Sequence, residues 1–202
     1  MNNHINSIFA VISLFSTVAT AEISNNISVT SNYINRGITQ TSDSASVAGG
    51  VDYTHSSGFY VGLWSASLSN DTETNLYTGY RFKINSIEYD VGYDISQFYT
   101  PGIDVSEVFF GVSLHNISGK YSVDSDNNNT YLEISADFAL TDIDILNIHT
   151  GINNAHNGVD YQNYSVSLTR QEISFTLSNT NNNMALGMSD NVRYVVLWQR
   201  EF

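Results

Sequence analysis

Cysteine is absent from the chain, which removes disulfide frameworks, thiolate catalysis and thiolate-bound metals together. Proline occurs once, at Pro101, and no linker-like stretch divides the sequence, so a single folded domain is expected. Basic residues are scarce: 7 Lys plus Arg stand against 20 Asp plus Glu, a formal net charge of −13. That balance argues against a nucleic-acid partner and against attraction to an anionic membrane surface. Histidine is also rare, and neither an H-x-H nor an H-x-x-x-H pair occurs, so no metal and no cofactor is expected. A local nucleophile signature such as G-x-S-x-G is missing too, and no catalytic residue is assigned. After residue 21 no helix-period stripe of any length can be found, and no apolar run approaches the about 20 residues of a spanning helix.

What is present begins with an apolar run over residues 8–18, followed by Ala19-Thr20-Ala21 in the small-x-small pattern of a cleavage site. This predicts an export signal over residues 1–21, cut after Ala21, and a folded domain over 22–202. The domain is written in a two-residue period. In "SIEYDVGYDIS", Ile87, Tyr89, Val91, Tyr93 and Ile95 share one face, while Glu88, Asp90 and Asp94 share the other. "YLEISADFAL" opposes Leu132, Ile134, Ala136 and Phe138 to Tyr131, Glu133, Ser135 and Asp137. Such segments centre near Val29, Val51, Leu63, Tyr77, Val91, Phe110, Tyr121, Ser135, Ile148, Val166, Phe175 and Val196, about twelve strands in all. Tight links such as "HSSG", "INS" and "RQE" alternate with longer polar ones such as "RGITQTSDS" and "TNNNMALGMSDN".

Short turns at one end and longer polar loops at the other are the layout of an all-β, up-and-down antiparallel barrel that crosses a membrane. A soluble exported β-sandwich also alternates apolar and polar residues, and it stays open as an alternative. The barrel is favoured by aromatic residues near strand ends on apolar faces (Tyr33, Tyr53, Phe82, Tyr93, Phe138 and Phe202), the positions of an interfacial girdle. It is favoured again by a long last strand, which closure against the first would leave without an edge. The polar face then lines a lumen. Its charged members are Arg36, Asp52, Arg81, Lys83, Glu88, Asp90, Asp94, Glu107, Lys120, Glu133 and Asp137, seven acids against four bases. Lys120 and Glu133 lie on adjacent strands and are expected to pair. Arg36 is read as a constriction charge or as a loop anchor, with Gly37 supplying a positive φ.

The ordered motifs "SNYINRGITQT", "SGFYVGLWSAS", "LYTGYRF", "SEVFFGVS" and the terminal "VVLWQREF" resemble the TorF family of proteobacterial porin-like proteins. The resemblance runs through essentially the whole mature chain. It implies an outer-membrane β-barrel of a Gram-negative bacterium and a channel for passive diffusion of small solutes or ions; the excess of acids on the inner wall adds an expected mild cation preference. The implied partners are outer-membrane lipid, the small solutes, and the outer-membrane assembly machinery. For the last of these, the terminal Phe202 with Tyr194, Val196 and Trp198 on the same face resembles the assembly signal. A barrel hydrolase remains an alternative in another class.

Overall fold

The computed structural model describes residues 21–100, 104–181, 187 and 192–202. Most of the expected export signal, Pro101 and much of the Asn-rich loop before the last strand therefore lie outside the described residues. The strands are β1 (Glu22–Thr30), β2 (Ile34–Asn35), β3 (Ile38–Thr39), β4 (Ser46–Thr54), β5 (Phe59–Ser67), β6 (Thr72–Ile84) and β7 (Ile87–Phe98). They continue with β8 (Val105–Leu114), β9 (Ile117–Asp124), β10 (Thr130–Ala139), β11 (Asp144–Asn154), β12 (Tyr161–Arg170), β13 (Ile173–Thr180) and β14 (Arg193–Glu201).

Twelve of these strands, β1 and β4 to β14, form one closed barrel in which sequence neighbours pair antiparallel and β1 pairs β14. Every expected strand centre falls inside one of them. The seam aligns residues 26–30 of β1 with residues 197–201 of β14, and it extends to the last residue, where the Phe202 amide donates to the Asn25 carbonyl at 2.8 Å. Closure leaves none of these twelve barrel strands with an open edge. At the tight-turn end, Asn85, His115 and Gln171 each take a positive φ, which lets the chain reverse within about two residues.

Burial in this barrel is inverted relative to a protein that folds in water. Large apolar side chains such as Val29, Val51, Leu63, Leu76, Phe110, Ile134, Ile148, Val166 and Phe175 are exposed on the outer surface. The buried class is dominated by polar residues, among them Glu73, Asn75, Ser122, Asn163, Ser167, Ser174 and Thr180. Each such apolar side chain would gain about 2 kcal/mol on leaving water, so a belt of them calls for a hydrocarbon surround. Near the tight-turn end the belt carries an aromatic run: Phe82 stacks on Tyr89 with centroids 5.2 Å apart, flanked by Tyr80 and Phe110.

Tyr33 departs from the girdle expected of it. It sits in the segment between β1 and β4, is 4% exposed, donates its hydroxyl to Glu73 at 3.0 Å and packs edge-on against Trp64 at 5.6 Å. Its segment folds into the barrel rather than lying over the rim, and that placement depends on contacts across the lumen.

Candidate functional site: the barrel lumen

Strand register sorts the inner wall into rows. One row passes through Asp52, Gly62, Tyr77, Asp94, Glu107 and Asp124 from β4 to β9, and holds carboxylates without a lysine or arginine. The next passes through Arg81, Asp90, Gly111, Lys120, Glu133, Gly151, Asn163 and Thr180 from β6 to β13. A third runs Lys83, Glu88, Ser113, Ser118, Ser135, His149, Ser165, Ser178 and Arg193. Asp137 lies beyond it and accepts the Asn147 amide at 2.7 Å. All the strand-borne charges named from the sequence thus share the face opposite the exposed apolar residues.

The cations of this wall are engaged by acids. Arg81 pairs with Asp90 at 3.2 Å and Lys120 with Glu133 at 2.9 Å, while Lys83 stands opposite Glu88 in register. Asp52 accepts the Tyr77 hydroxyl at 2.5 Å and Asp94 the Ser96 hydroxyl at 3.2 Å, both from neutral donors. The field left over is therefore negative. At the loop end Asp71 adds to it: a hydrogen bond from Thr100, together with the backbone amides of Thr72, Thr100 and Tyr99, holds its carboxyl below the usual range.

Aromatic rings set these charges in place. Tyr60 lies over Gly79 and Tyr77 over Gly62 on the facing strand, since only a missing Cβ leaves room for a ring there. Tyr60 then donates to Asp90 at 2.8 Å and offers its face to the Arg81 guanidinium at 4.2 Å.

Into this wall folds the β2–β3 hairpin. Its tight turn is Arg36-Gly37, both at positive φ (49° and 81°), and the first of these is unfavourable for a residue with a Cβ. The offset is a bidentate pair: Arg36 donates both Nη atoms to Glu107 at 2.7 and 2.6 Å, and its guanidinium stacks 4.3 Å above the Tyr131 ring. Gly37 abuts the opposite wall so closely that any side chain would strike Thr180 and Asn163. The base of the segment is tied by Asn32, which donates to Asp43 at 2.8 Å, and by Arg193, which donates to the same carboxylate at 3.2 Å. Both sequence readings of Arg36 meet here, because the loop anchor is also a charge inside the lumen.

Sequence reasoning gave no site role to Glu73, Tyr131, His149 and Asn163. Their parity already put Tyr131 and Glu73 on the inner face, but nothing local marked them as contacts of a segment far away in sequence. Tyr131 donates to Asn163 Oδ1 at 2.9 Å, Asn163 Nδ2 lies 3.1 Å from His149 Nε2, and His149 Nδ1 lies 2.9 Å from Ser135 Oγ. A serine, a histidine and an asparagine in line invite the hydrolase reading. With the Asn163 amide as donor to Nε2 the imidazole proton sits on Nδ1 and Ser135 accepts from it, so the line serves to tie β10, β11 and β12 together. In the polar link "DSDNNN", residues 124–129, Asp124 accepts from Asp126, Asn127 and Asn129 at 2.9 to 3.2 Å.

At the seam, Tyr194, Val196, Trp198 and Phe202 share the outer face as expected. Trp198 donates to Glu172 at 3.0 Å, and Arg200 lies 3.6 Å from the same carboxylate and 5.4 Å over the Phe202 ring.

No curated protein matches the chain. The model of a family described as a bacterial protein of unknown function, Gcw_chp, matches residues 16–183, and the chain belongs to that family. Among solved structures, a KdgM porin aligns over 89% of this chain and 99% of its own length, with a TM-score of 0.67 at 12% identity. A KdgM porin in complex with disordered oligogalacturonate aligns over 91% and 99%, with a TM-score of 0.62 at 11% identity. At such identities the likeness is one of fold, and it extends over nearly the full length of both chains.

Proposed function

We propose that this Gcw_chp-family barrel is an outer-membrane channel of the porin type, carrying small solutes or ions by passive diffusion with a mild preference for cations. The observation that carries the reading is the inverted barrel itself: apolar residues outside, charged and hydroxyl-bearing residues inside, and no open strand edge. The ordered motifs that resemble TorF porin-like proteins and the fold shared with KdgM porins support it. In this reading residues 1–21 direct export and are removed, the lumen charges filter passing solutes, and no bond is made or broken. The KdgM structure that holds oligogalacturonate holds a polyanion. The uncompensated acids Asp52 and Asp94 argue for neutral or cationic solutes in this barrel, since like charges at lumen distances repel through a medium less screening than bulk water.

The reading is tested by refolding residues 22–202 into a planar bilayer. Discrete conductance steps and a reversal potential favouring cations by about two- to threefold are expected. Silent bilayers would remove the channel, and anion preference would remove the role given to the acids. Tyr194, Val196, Trp198 and Phe202 are assigned to recognition by the assembly machinery. Deleting Phe202 should lower outer-membrane levels while leaving export intact, which fractionation of cells carrying the truncated protein would read directly.

A further inference from the structure

We propose that residues 31–45 are the size filter of the lumen, a bar that crosses it from wall to wall; the inference rests on the channel reading above. A twelve-stranded barrel lies between an eight-stranded one, whose own side chains fill it, and a sixteen-stranded one with an open aqueous lumen. Its effective bore is therefore set by what else enters. Here the chain itself enters. Tyr33 is held on β6 through Glu73, and the turn at Gly37 rests on Asn163 of β12. In the ring of twelve, β6 and β12 are six places apart, so the two supports face each other across the diameter.

Midway, Arg36 is fixed by Glu107 on β8 and Tyr131 on β10. Supports on β6, β8, β10 and β12 leave the segment little freedom to swing out. All four supports lie within the first three residues of their strands, so the bar spans the lumen at its loop end, over half the circumference of the ring. Two further features indicate a built insertion. Arg36 adopts a left-handed backbone that an ordinary loop arginine would avoid, and Gly37 occupies a place too tight for any side chain. Solutes must pass beside this bar, between the acid-bearing strands and the hairpin.

Single-channel recording decides it, comparing refolded residues 22–202 with a variant in which residues 34–39 are replaced by two glycines, and with Arg36→Gln. Heat-modifiable gel mobility confirms that each barrel has closed. The shortened variant is expected to conduct at least about threefold more per channel and to admit larger polyethylene glycols; Arg36→Gln should give smaller, flickering increases. Unchanged conductance and polymer cut-off in the folded shortened barrel would overturn the filter and leave the channel reading intact. If the shortened chain does not close, unchanged steps in Arg36→Gln overturn it equally. A silent parent with a conducting shortened variant would uphold the bar and overturn only free diffusion through the native chain. Silence from all three would overturn both.

Discussion

The two halves of the inner wall are built differently. From β4 to β10 the interior carries the carboxylates, the paired cations and the rings of Tyr60, Tyr77 and Tyr131. From β11 to β13 it carries two rings, His149 and Tyr161, among small polar side chains: Asn147, Asn163, Ser165, Ser167, Thr169, Ser174, Thr176 and Ser178. Charges need partners and large side chains to hold them, so the first half fills its own share of the lumen. Small hydroxyls satisfy one another at little cost in space, as Ser167 does with Thr176 at 2.8 Å and Thr169 with Ser174 at 2.7 Å. The room they leave is where Gly37 docks. One half thus supplies electrostatics and anchors, and the other supplies the space that the hairpin takes up.

That division is open to attack from each side. The largest effect should come from Gly37→Val, which sets a β-branched residue at a left-handed φ against Thr180 and Asn163. Hairpin docking should weaken by about 3 kcal/mol, so trypsin should cut after Arg36 about a hundredfold faster than in the parent. Mass spectrometry of the fragments reads this, and a cleavage rate equal to the parent's would mean that the hydroxyl wall is not its seat. On the charged side, Glu107→Gln keeps the shape but removes the charge facing a half-buried guanidinium. A loss of about 2 kcal/mol and cleavage about thirtyfold faster are expected.

The selectivity difference should be smaller and confined to one half. Asp52→Asn with Asp94→Asn should reduce the cation-to-anion permeability ratio by about twofold, whereas Ser165→Ala with Ser178→Ala should leave it unmoved. Equal shifts from the two pairs would erase the distinction between the halves. Least of all, Ser167→Ala removes one hydroxyl pair and should cost about 1 kcal/mol in urea unfolding, with conductance unchanged.

Much of this was legible without coordinates, and the reason is locality. Side chains on a strand alternate faces whatever the strand pairs with, so Glu88 and Asp90 were assignable to the inner face from their neighbours alone. The Lys120 and Glu133 pair was also readable, because consecutive antiparallel strands lie side by side and the apolar face of each restricts the register. Tyr33 failed the same reasoning. Its flanks read as a strand end followed by a polar loop, which is correct, but the loop's direction depends on Glu73 and Trp64, which come much later in the chain. His149 reads from the sequence as a strand residue, which it is, but its line of hydrogen bonds exists only once β10, β11 and β12 lie side by side.

By itself the sequence determined the number of barrel strands, which residues face out, the acid excess of the inner face and the terminal aromatic, because each follows from composition or from the fixed two-residue period. Tertiary structure alone decided that the segment after β1 turns inward, that Arg36 meets a glutamate 71 residues away, and that β6 and β12 stand opposite each other. These follow from closing the ring. Closure brings distant strands into opposition around a space too wide for their own side chains to fill, and no local pattern records which stretch of chain will fill it.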